Sequence, residues 1–208
     1  MKEIEQSLDK TIDSSNLEGL TTDFAEIALD SVMEDGILKE IPVFGTIFKV
    51  AKLGVNVNDF LLYKKVFKFL FQIKDISLDK RQQFYENIKE TEDYNKNVGE
   101  AVLLLLDKLD DMEKPAIIGK LFAETLNGNL DYKTFLRLSY IVERMFAPDI
   151  QELRKVKNGQ PVELDTKSNL YNLGLMSRQI LNNIRGNSSN EYVINNFGET
   201  LVEILYKE

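Results

Sequence analysis

The sequence contains no histidine and no cysteine. Histidine is the side chain that most often acts as a general base near neutral pH, and it is a ligand in most zinc and non-haem iron sites. Without cysteine, the chain forms no disulfide and offers neither a thiol nucleophile nor a thiolate metal ligand. Ser-His-Asp and Cys-His catalytic arrangements are therefore excluded. Among the usual catalytic groups, carboxylates, lysine, serine and tyrosine are left.

The two common glycine-rich motifs that bind phosphate are absent as well. Neither G-x-x-x-x-G-K-[ST] nor G-x-G-x-x-G occurs in the sequence, so nothing in it indicates a loop that cradles a nucleotide. Together with the missing histidine and cysteine, this predicts a non-enzymatic protein. We expect no catalytic residue, no cofactor and no metal ion, with carboxylate-based metal chemistry left open as the residual alternative.

Long apolar runs are also missing. No run of about 18 residues is apolar throughout, whereas a transmembrane helix needs about 20. The first ten residues, MKEIEQSLDK, are charged and lack the apolar segment of a secretory signal. We therefore expect the protein to reside in the cytoplasm.

Charge is plentiful but unevenly distributed. The chain has 34 acidic and 26 basic residues, a net charge of −8 that disfavours nucleic acid and anionic lipid as partners. Residues 1–40 carry three lysines and eleven carboxylates, whereas residues 49–81 carry eight basic side chains and three carboxylates. These regions are either two solvated faces or an acidic arm docked on a basic segment. Exposed ion pairs would contribute only about 0–1 kcal/mol each to such docking.

Apolar residues at helical spacing predict a mainly α-helical chain. The predicted helices cover residues 2–13, 23–36, 43–57, 59–73, 77–88, 98–109, 112–126, 132–146 and 148–155. Asn58-Asp59, Asp110-Asp111 and Asp131 are predicted to cap helix starts. Asn127-Gly128 is predicted to end a helix in the left-handed conformation. The sequence therefore predicts a multi-helix bundle.

Helices 43–57 and 59–73 are apolar around most of their circumference. Such helices are buried on several sides, so we expect both of them in the core. The alternative is an interfacial or inserting hairpin acting on membranes, because lysine lies beside phenylalanine, leucine and valine throughout.

The composition changes at residues 157–161, which marks the best domain boundary. Beyond it we predict a short helix over residues 165–173 that ends at Gly174, strands at 175–180 and 192–194 around a turn at 185–190, and a closing helix. This layout is typical of part of a winged helix. The fold expected is thus mainly α, a multi-helix bundle with a small winged-helix-like α+β module at the C-terminus.

The domains expected are an acidic N-terminal helical arm (1–40), a helical core domain (41–156) and a winged-helix-like module (162–208) packed on the core. From residue 164 to the end, four basic residues face five carboxylates. Such a surface would gain little from phosphate contacts. We therefore favour protein docking over DNA binding for this module, and DNA binding is kept as an alternative.

Three short motifs have a structural interpretation that we prefer over the chemical one. The carboxylates at 107–113 could bind magnesium, but acidic residues are equally usual at a helix N-cap and at solvent-facing positions. Pro148-Asp149 and Asp165-Thr166-Lys167 match a nuclease spacing, although Pro148 indicates a helix start rather than a strand. Residues 127–131 read like half a calcium loop, but the first and last carboxylates of such a loop are missing.

Two segments near the C-terminus have a recognisable pattern, N-L-Y-N-L-G-L-M at residues 169–176 and Y-V-I-N-N-F-G-E-T-L-V at residues 192–202. They resemble the ending of the abortive-infection alpha family, bacterial proteins associated with phage resistance. Residues 117–126 and 135–139 look like the helical middle of that family. The resemblance covers roughly residues 98–206 and supplies no catalytic or binding residue.

The function predicted is that of a non-enzymatic helical protein that binds another protein, plausible in defence against phages or mobile elements. The expected contact surface joins the basic segment 49–81 to the C-terminal module. Its candidate residues are Lys49, Lys52, Lys64, Lys65, Lys68, Arg178 and Arg185. The alternatives are a membrane-perturbing effector that uses the 43–73 hairpin and a transcriptional regulator that binds DNA through the C-terminal module. A homo-oligomer is left open.

Overall fold

The computed structural model describes residues 2–14, 17, 20, 40–51, 57–89, 97–182 and 188–207. These residues form ten helices and two strands. The chain divides into two compact units, residues 1–135 and residues 136–208. A mainly α-helical fold with one small sheet is confirmed. The winged-helix detail and the domain boundaries at 40, 156 and 162 stay predictions.

The elements follow one another in chain order. The helices are α1 (Lys2–Ser14), α2 (Pro42–Ala51), α3 (Val57–Phe71), α4 (Leu78–Lys89), α5 (Val98–Lys108), α6 (Lys114–Leu126), α7 (Tyr132–Arg144), α8 (Asp149–Lys157), α9 (Leu164–Asn172) and α10 (Asn196–Leu205). The strands β1 (Met176–Asn182) and β2 (Ser188–Ile194) lie between α9 and α10. The predicted helix 23–36 lies outside the described residues.

The first unit is built on helices α1 and α3. Helix α1 packs against α2, α4 and α5, and α3 packs against α2, α5 and α6. Four phenylalanine rings are completely buried there, those of Phe44, Phe69, Phe122 and Phe135. The ring of Phe122 lies 5.4 Å from that of Phe69 and 5.1 Å from that of Phe135. Most of the described apolar residues of α2 and α3 are buried as predicted, whereas Val50 and Leu61 are each 38% exposed.

Helix α1 takes part in this core although its sequence is mostly polar. It buries Ile4, Leu8 and Ile12, together with Ser7 and Thr11. Both hydroxyls donate to carbonyl oxygens within the helix, to Ile4 and Ser7 respectively. A narrow apolar stripe is thus sufficient to bury the helix, because its buried hydroxyls are hydrogen-bonded.

Two polar contacts, one buried and one partly buried, attach α1 to its neighbours. The Arg81 guanidinium, only 4% exposed, donates to the carbonyl oxygen of Ile12 at 2.8 Å and so satisfies the C-terminal end of α1. At the other side, the Asp9 carboxylate accepts hydrogen bonds from Gly99 N (2.6 Å) and the Tyr85 hydroxyl (2.9 Å). A Cβ at Gly99 would collide with the carbonyl oxygen of Glu5. The glycine therefore permits close approach of α1 and α5.

The helix ends agree with the sequence prediction in two places. Asp131 caps α7 by accepting a hydrogen bond from Thr134 N at 2.9 Å. Helix α6 ends with Asn127 as its C-cap, followed by Gly128 at φ 78°. Only glycine adopts this left-handed conformation without a steric cost.

Two predicted N-caps are wrong. Helix α3 already begins at Val57, so Asn58 and Asp59 lie in its first turn. Helix α6 begins at Lys114 with Pro115 in its first turn, and its N-cap is Glu113. Proline favours the first turn because its fixed φ and missing N–H suit that position. This shifts the helix start beyond Asp110 and Asp111.

The second unit contains the sheet. Strands β1 and β2 pair antiparallel from Met176↔Ile194 to Asn182↔Ser188. Helix α9 ends as predicted, with Gly174 at φ 86°. The strands are longer than predicted because backbone pairing continues through residues 188–190, whose side chains are too polar to indicate a strand. The predicted turn at 185–190 therefore overlaps β2.

Candidate functional site

The predicted contact lysines of α3 are largely engaged within the first unit. Lys65 Nζ donates to the carbonyl oxygen of Asp107 at 3.0 Å, and Lys68 Nζ donates to that of Met112 at 2.9 Å. Burial lowers the pKa of Lys65, while the nearby charges of Asp107 and Asp110 act in the opposite direction. Both ammonium groups thus hold α3 against the C-terminal end of α5 and the segment that follows it.

The other predicted contact residues are dispersed. Lys64 lies over the ring of Phe60, 4.9 Å from its centroid, and Lys49 is exposed in the last turn of α2. Arg178 is exposed on β1, in the second unit. Lys52 and Arg185 lie outside the described residues. The predicted surface joining segment 49–81 to the C-terminal module stays a prediction.

The acidic residues of the possible magnesium and nuclease motifs have local structural roles. Asp110 pairs with the buried ammonium of Lys114 at 2.5 Å, and Asp111 accepts a hydrogen bond from Glu113 N at 2.7 Å. Within the described residues, no group of three or more acidic side chains could hold a metal ion. Asp149 and Asp165 lie in the first turns of α8 and α9 rather than on adjoining strands.

The second unit contains an open groove of about 540 Å³. One wall is a single face of α7, where four side chains recur at helical spacing. The opposite wall comes from the end of α9 and the first turn of α10. The lining residues are Arg137, Tyr140, Ile141, Arg144, Leu173, Gly174 and Phe197. The size lies within the range of pockets that bind drug-sized groups.

Asn195 holds the second wall in place. Its side-chain nitrogen donates to the carbonyl oxygen of Gly174 at 2.9 Å, and its side-chain oxygen accepts a hydrogen bond from Gly198 N at 3.1 Å. A Cβ at Gly198 would overlap the carbonyl oxygen of Leu175. This close approach fixes the first turn of α10, and with it Phe197, beside the end of α9.

Two positively charged side chains, Arg137 and Arg144, line the groove. The Arg137 guanidinium lies over the Phe197 ring, 5.3 Å from its centroid. Across the part of the chain that the structure describes, no carboxylate lies within ion-pair distance of Arg137 or Arg144. Guanidinium N–H donors suit carboxylates and phosphates, which they can bind in a bidentate manner.

The basic residues of α8, in contrast, have partners. Lys155 pairs with Glu152 and Lys157 with Glu203, both at 2.7 Å. The guanidinium of Arg154 lies over the Tyr206 ring at 4.2 Å. Residues 136–208 contain nine basic and nine acidic side chains, so this unit is neutral as a whole. The groove is therefore a local concentration of positive charge rather than part of a basic surface.

Aromatic residues near the end of α7 are unusually exposed. Tyr140 is 52% exposed, and Phe146, two residues beyond the helix, is 70% exposed. The sequence predicts that this helix continues to residue 146, but α7 ends at Arg144.

Sequence reasoning missed this groove because its walls come from three separate segments. The signal that could have indicated it is the spacing R-x-x-Y-I-x-x-R in residues 137–144, which puts both arginines and the tyrosine on one helical face. Nothing in the sequence indicates that α9 and α10 lie opposite this face.

Comparison with protein-family models, with curated proteins and with solved structures found no match for this chain. The resemblance to the abortive-infection alpha family therefore stays a prediction from residues 98–206. Among the described helices, none has both the length and the apolar character required to cross a bilayer.

Proposed function

We propose that this is a non-enzymatic binding protein and that the groove of the second unit holds a segment of another protein. The single observation that supports this is the pair Arg137 and Arg144, two guanidiniums without a carboxylate partner in the described structure, placed on either side of the exposed Tyr140. Arginine and aromatic residues are enriched among the residues that dominate protein interfaces.

A role in bacterial defence against phages or mobile elements is part of this proposal. It rests on the resemblance of residues 98–206 alone. In this proposal the protein acts in the bacterial cytoplasm, and the groove is where it meets the component it regulates.

The two alternatives have less support. A membrane-perturbing role requires the apolar side chains of the 43–73 hairpin, yet Phe44, Phe69 and Leu70 are completely buried. A DNA-binding role through α9 would depend on a helix with one lysine and one aspartate. Neither feature favours contact with phosphates or lipid.

The test is recovery of partners from bacterial lysate by tagged full-length protein, before and after phage infection. The groove variant is Arg137→Glu/Arg144→Glu. The matched control is Lys10→Glu/Lys108→Glu, which changes the net charge equally at two exposed lysines outside the second unit. We expect at least one protein to be recovered by the native chain and the control but not by the groove variant. The same set of recovered proteins from all three would contradict the proposal.

A further inference from the structure

We infer that the groove's ligand is a short acidic segment in the polyproline II conformation, with carboxylates at positions i and i+3 and apolar residues between them. This inference rests on the proposed function and specifies the class of its partner. It follows from the spacing of the two arginines, the chemistry of the floor between them and the charge of the surrounding unit.

The arginine spacing sets the first requirement. Arg137 and Arg144 are seven residues apart on one helix, so their Cα atoms are separated by about 10.5 Å along the axis. Seven residues are close to two turns, which places both side chains on the same face. A ligand that binds both guanidiniums needs two acidic groups at about this distance.

A polyproline II segment meets this requirement with few residues. It has about three residues per turn and rises about 3.1 Å per residue, so side chains at i and i+3 lie on one side about 9 Å apart. In a β-strand, residues at i and i+3 point to opposite faces. An acidic pair three residues apart therefore matches the two arginines when the ligand is in the polyproline II conformation but not when it is a β-strand.

The floor between the arginines sets the second requirement. This floor is the apolar part of the two walls: Tyr140 and Ile141 lie between the arginines on α7, and Leu173 and Phe197 lie on the opposite wall. Grooves lined with aromatic residues are the usual docking sites for polyproline II segments, whose restricted conformation loses little entropy on binding. Proline or leucine between the two carboxylates would lie on this floor.

The charge distribution favours an acidic protein segment over nucleic acid. Arginine beside aromatic rings also occurs in sites for single-stranded nucleic acid. Such sites lie on extended basic surfaces that follow many phosphates. Here the unit is neutral as a whole, residues 1–135 carry the whole excess of eight acidic charges, and two of the unit's guanidiniums line the same groove. Two carboxylates match it better than a polyphosphate chain.

The experiment measures fluorescence anisotropy of labelled peptides with the full-length protein. One peptide contains Asp-Pro-Leu-Asp, a second has the same residues as Asp-Asp-Pro-Leu, and a third contains Lys-Pro-Leu-Lys. A single-stranded oligonucleotide serves as the fourth probe. We expect Asp-Pro-Leu-Asp to bind about tenfold more tightly than its adjacent-Asp counterpart, because only it reaches both guanidiniums.

The variants localise the binding. In Arg137→Glu/Arg144→Glu, affinity for Asp-Pro-Leu-Asp should fall by about a hundredfold and Lys-Pro-Leu-Lys should become the preferred peptide. The single variant Arg144→Gln, which keeps the Arg137–Phe197 contact, should lose about tenfold. The control Lys10→Glu/Lys108→Glu should bind as the native chain does. Circular dichroism of each variant verifies that it is folded.

Other outcomes overturn the inference in distinguishable ways. Equal binding of the two Asp peptides, lost in the groove variant, would refute the spacing while leaving the proposed function intact. Tighter binding of the oligonucleotide, lost in the same variant, would replace a protein ligand with a nucleic acid. Absence of peptide binding at millimolar concentration would refute the inference, and the lysate experiment would then decide the proposed function separately.

Discussion

At the scale of single residues, Asp9 is the clearest case of a side chain whose role depends on distant parts of the chain. Desolvation by burial raises the pKa of its carboxyl group, and the hydrogen bonds from Gly99 N and the Tyr85 hydroxyl oppose this effect. The carboxylate lies at the N-terminal end of α5, where it accepts a hydrogen bond from Gly99 N. The first backbone N–H groups of a helix have no carbonyl partner within the helix, so Asp9 supplies one. The hydrogen bonds that the Asp9 carboxylate accepts therefore offset part of the cost of burying its charge.

The raised pKa gives a pH-dependence with a definite sign. Because the folded protein holds the Asp9 proton more tightly than the unfolded chain does, the contribution of this group to stability is present below the unfolded pKa and is lost as the pH rises through the folded pKa. Asp9→Asn keeps the acceptor oxygen and removes the titration. We predict that the unfolding free energy of Asp9→Asn relative to the native chain increases as the pH rises from about 3 to about 7.

Urea denaturation over that pH range measures this difference. Glu86→Gln, which neutralises an exposed carboxylate on α4, is the control for a general change in net charge. A relative stability of Asp9→Asn that decreases with pH would contradict the assigned direction of the shift.

At the scale of secondary-structure elements, the lysines of α3 are part of how the helix is attached. The Lys68 ammonium group bonds a carbonyl oxygen between α5 and α6 from a partly buried position. We predict that Lys68→Gln lowers the unfolding free energy by about 0.5–1.5 kcal/mol, the usual contribution of one hydrogen bond. Chemical denaturation at neutral pH provides the measurement.

Lys49→Gln is the comparison for this variant, because Lys49 is exposed near the end of α2. Substitutions at such positions usually change stability by no more than about 0.5 kcal/mol. If Lys68→Gln and Lys49→Gln are equally neutral, the hydrogen bond from Lys68 contributes nothing to the attachment of α3.

The elements were predictable where their signals are local. Apolar residues at helical spacing identify α5 and α6, and Gly128 and Gly174 mark helix ends because the chain turns there with positive φ. The starts of α3 and α6 were misplaced, since several polar residues in a row offer competing caps. The polar half of β2 was missed, because its pairing with β1 depends on the backbone rather than on side-chain pattern.

The candidate site was much less predictable. The sequence indicated the basic residues of α3, whose ammonium groups are engaged within the first unit. The groove depends on Phe197 and Leu173 meeting the face of α7 that bears Arg137. A single sequence does not indicate which segments far apart in the chain contact each other.

At the scale of the whole molecule, burial of the aromatic residues distinguishes interior packing from a membrane-active surface. Phe44 is completely buried, whereas Phe146 is 70% exposed. We predict that Phe44→Ala lowers the unfolding free energy by about 3–5 kcal/mol, through lost burial and the cavity left behind. Phe146→Ala should change it by less than about 0.5 kcal/mol. Thermal and urea unfolding of the two variants measure the contrast, and similar values for both would argue that Phe44 is not in the core.

Charge is divided between the two units in a way that matters for binding. Residues 1–135 carry the net charge of −8, and residues 136–208 are neutral with two unpaired guanidiniums in one groove. A ligand for this groove must offer a specific arrangement of acidic groups, since the second unit as a whole has no excess of positive charge.

The most direct test is a chemical-shift map of the ¹⁵N-labelled full-length protein during titration with the Asp-Pro-Leu-Asp peptide. The amide signals that move most should be those of residues 137–144, Leu173, Gly174 and Phe197, which line the groove or belong to its α7 wall. Shifts centred instead on α2 and α3 around Lys49 and Lys64, or no shifts at millimolar peptide, would contradict the assignment of the groove as the binding site.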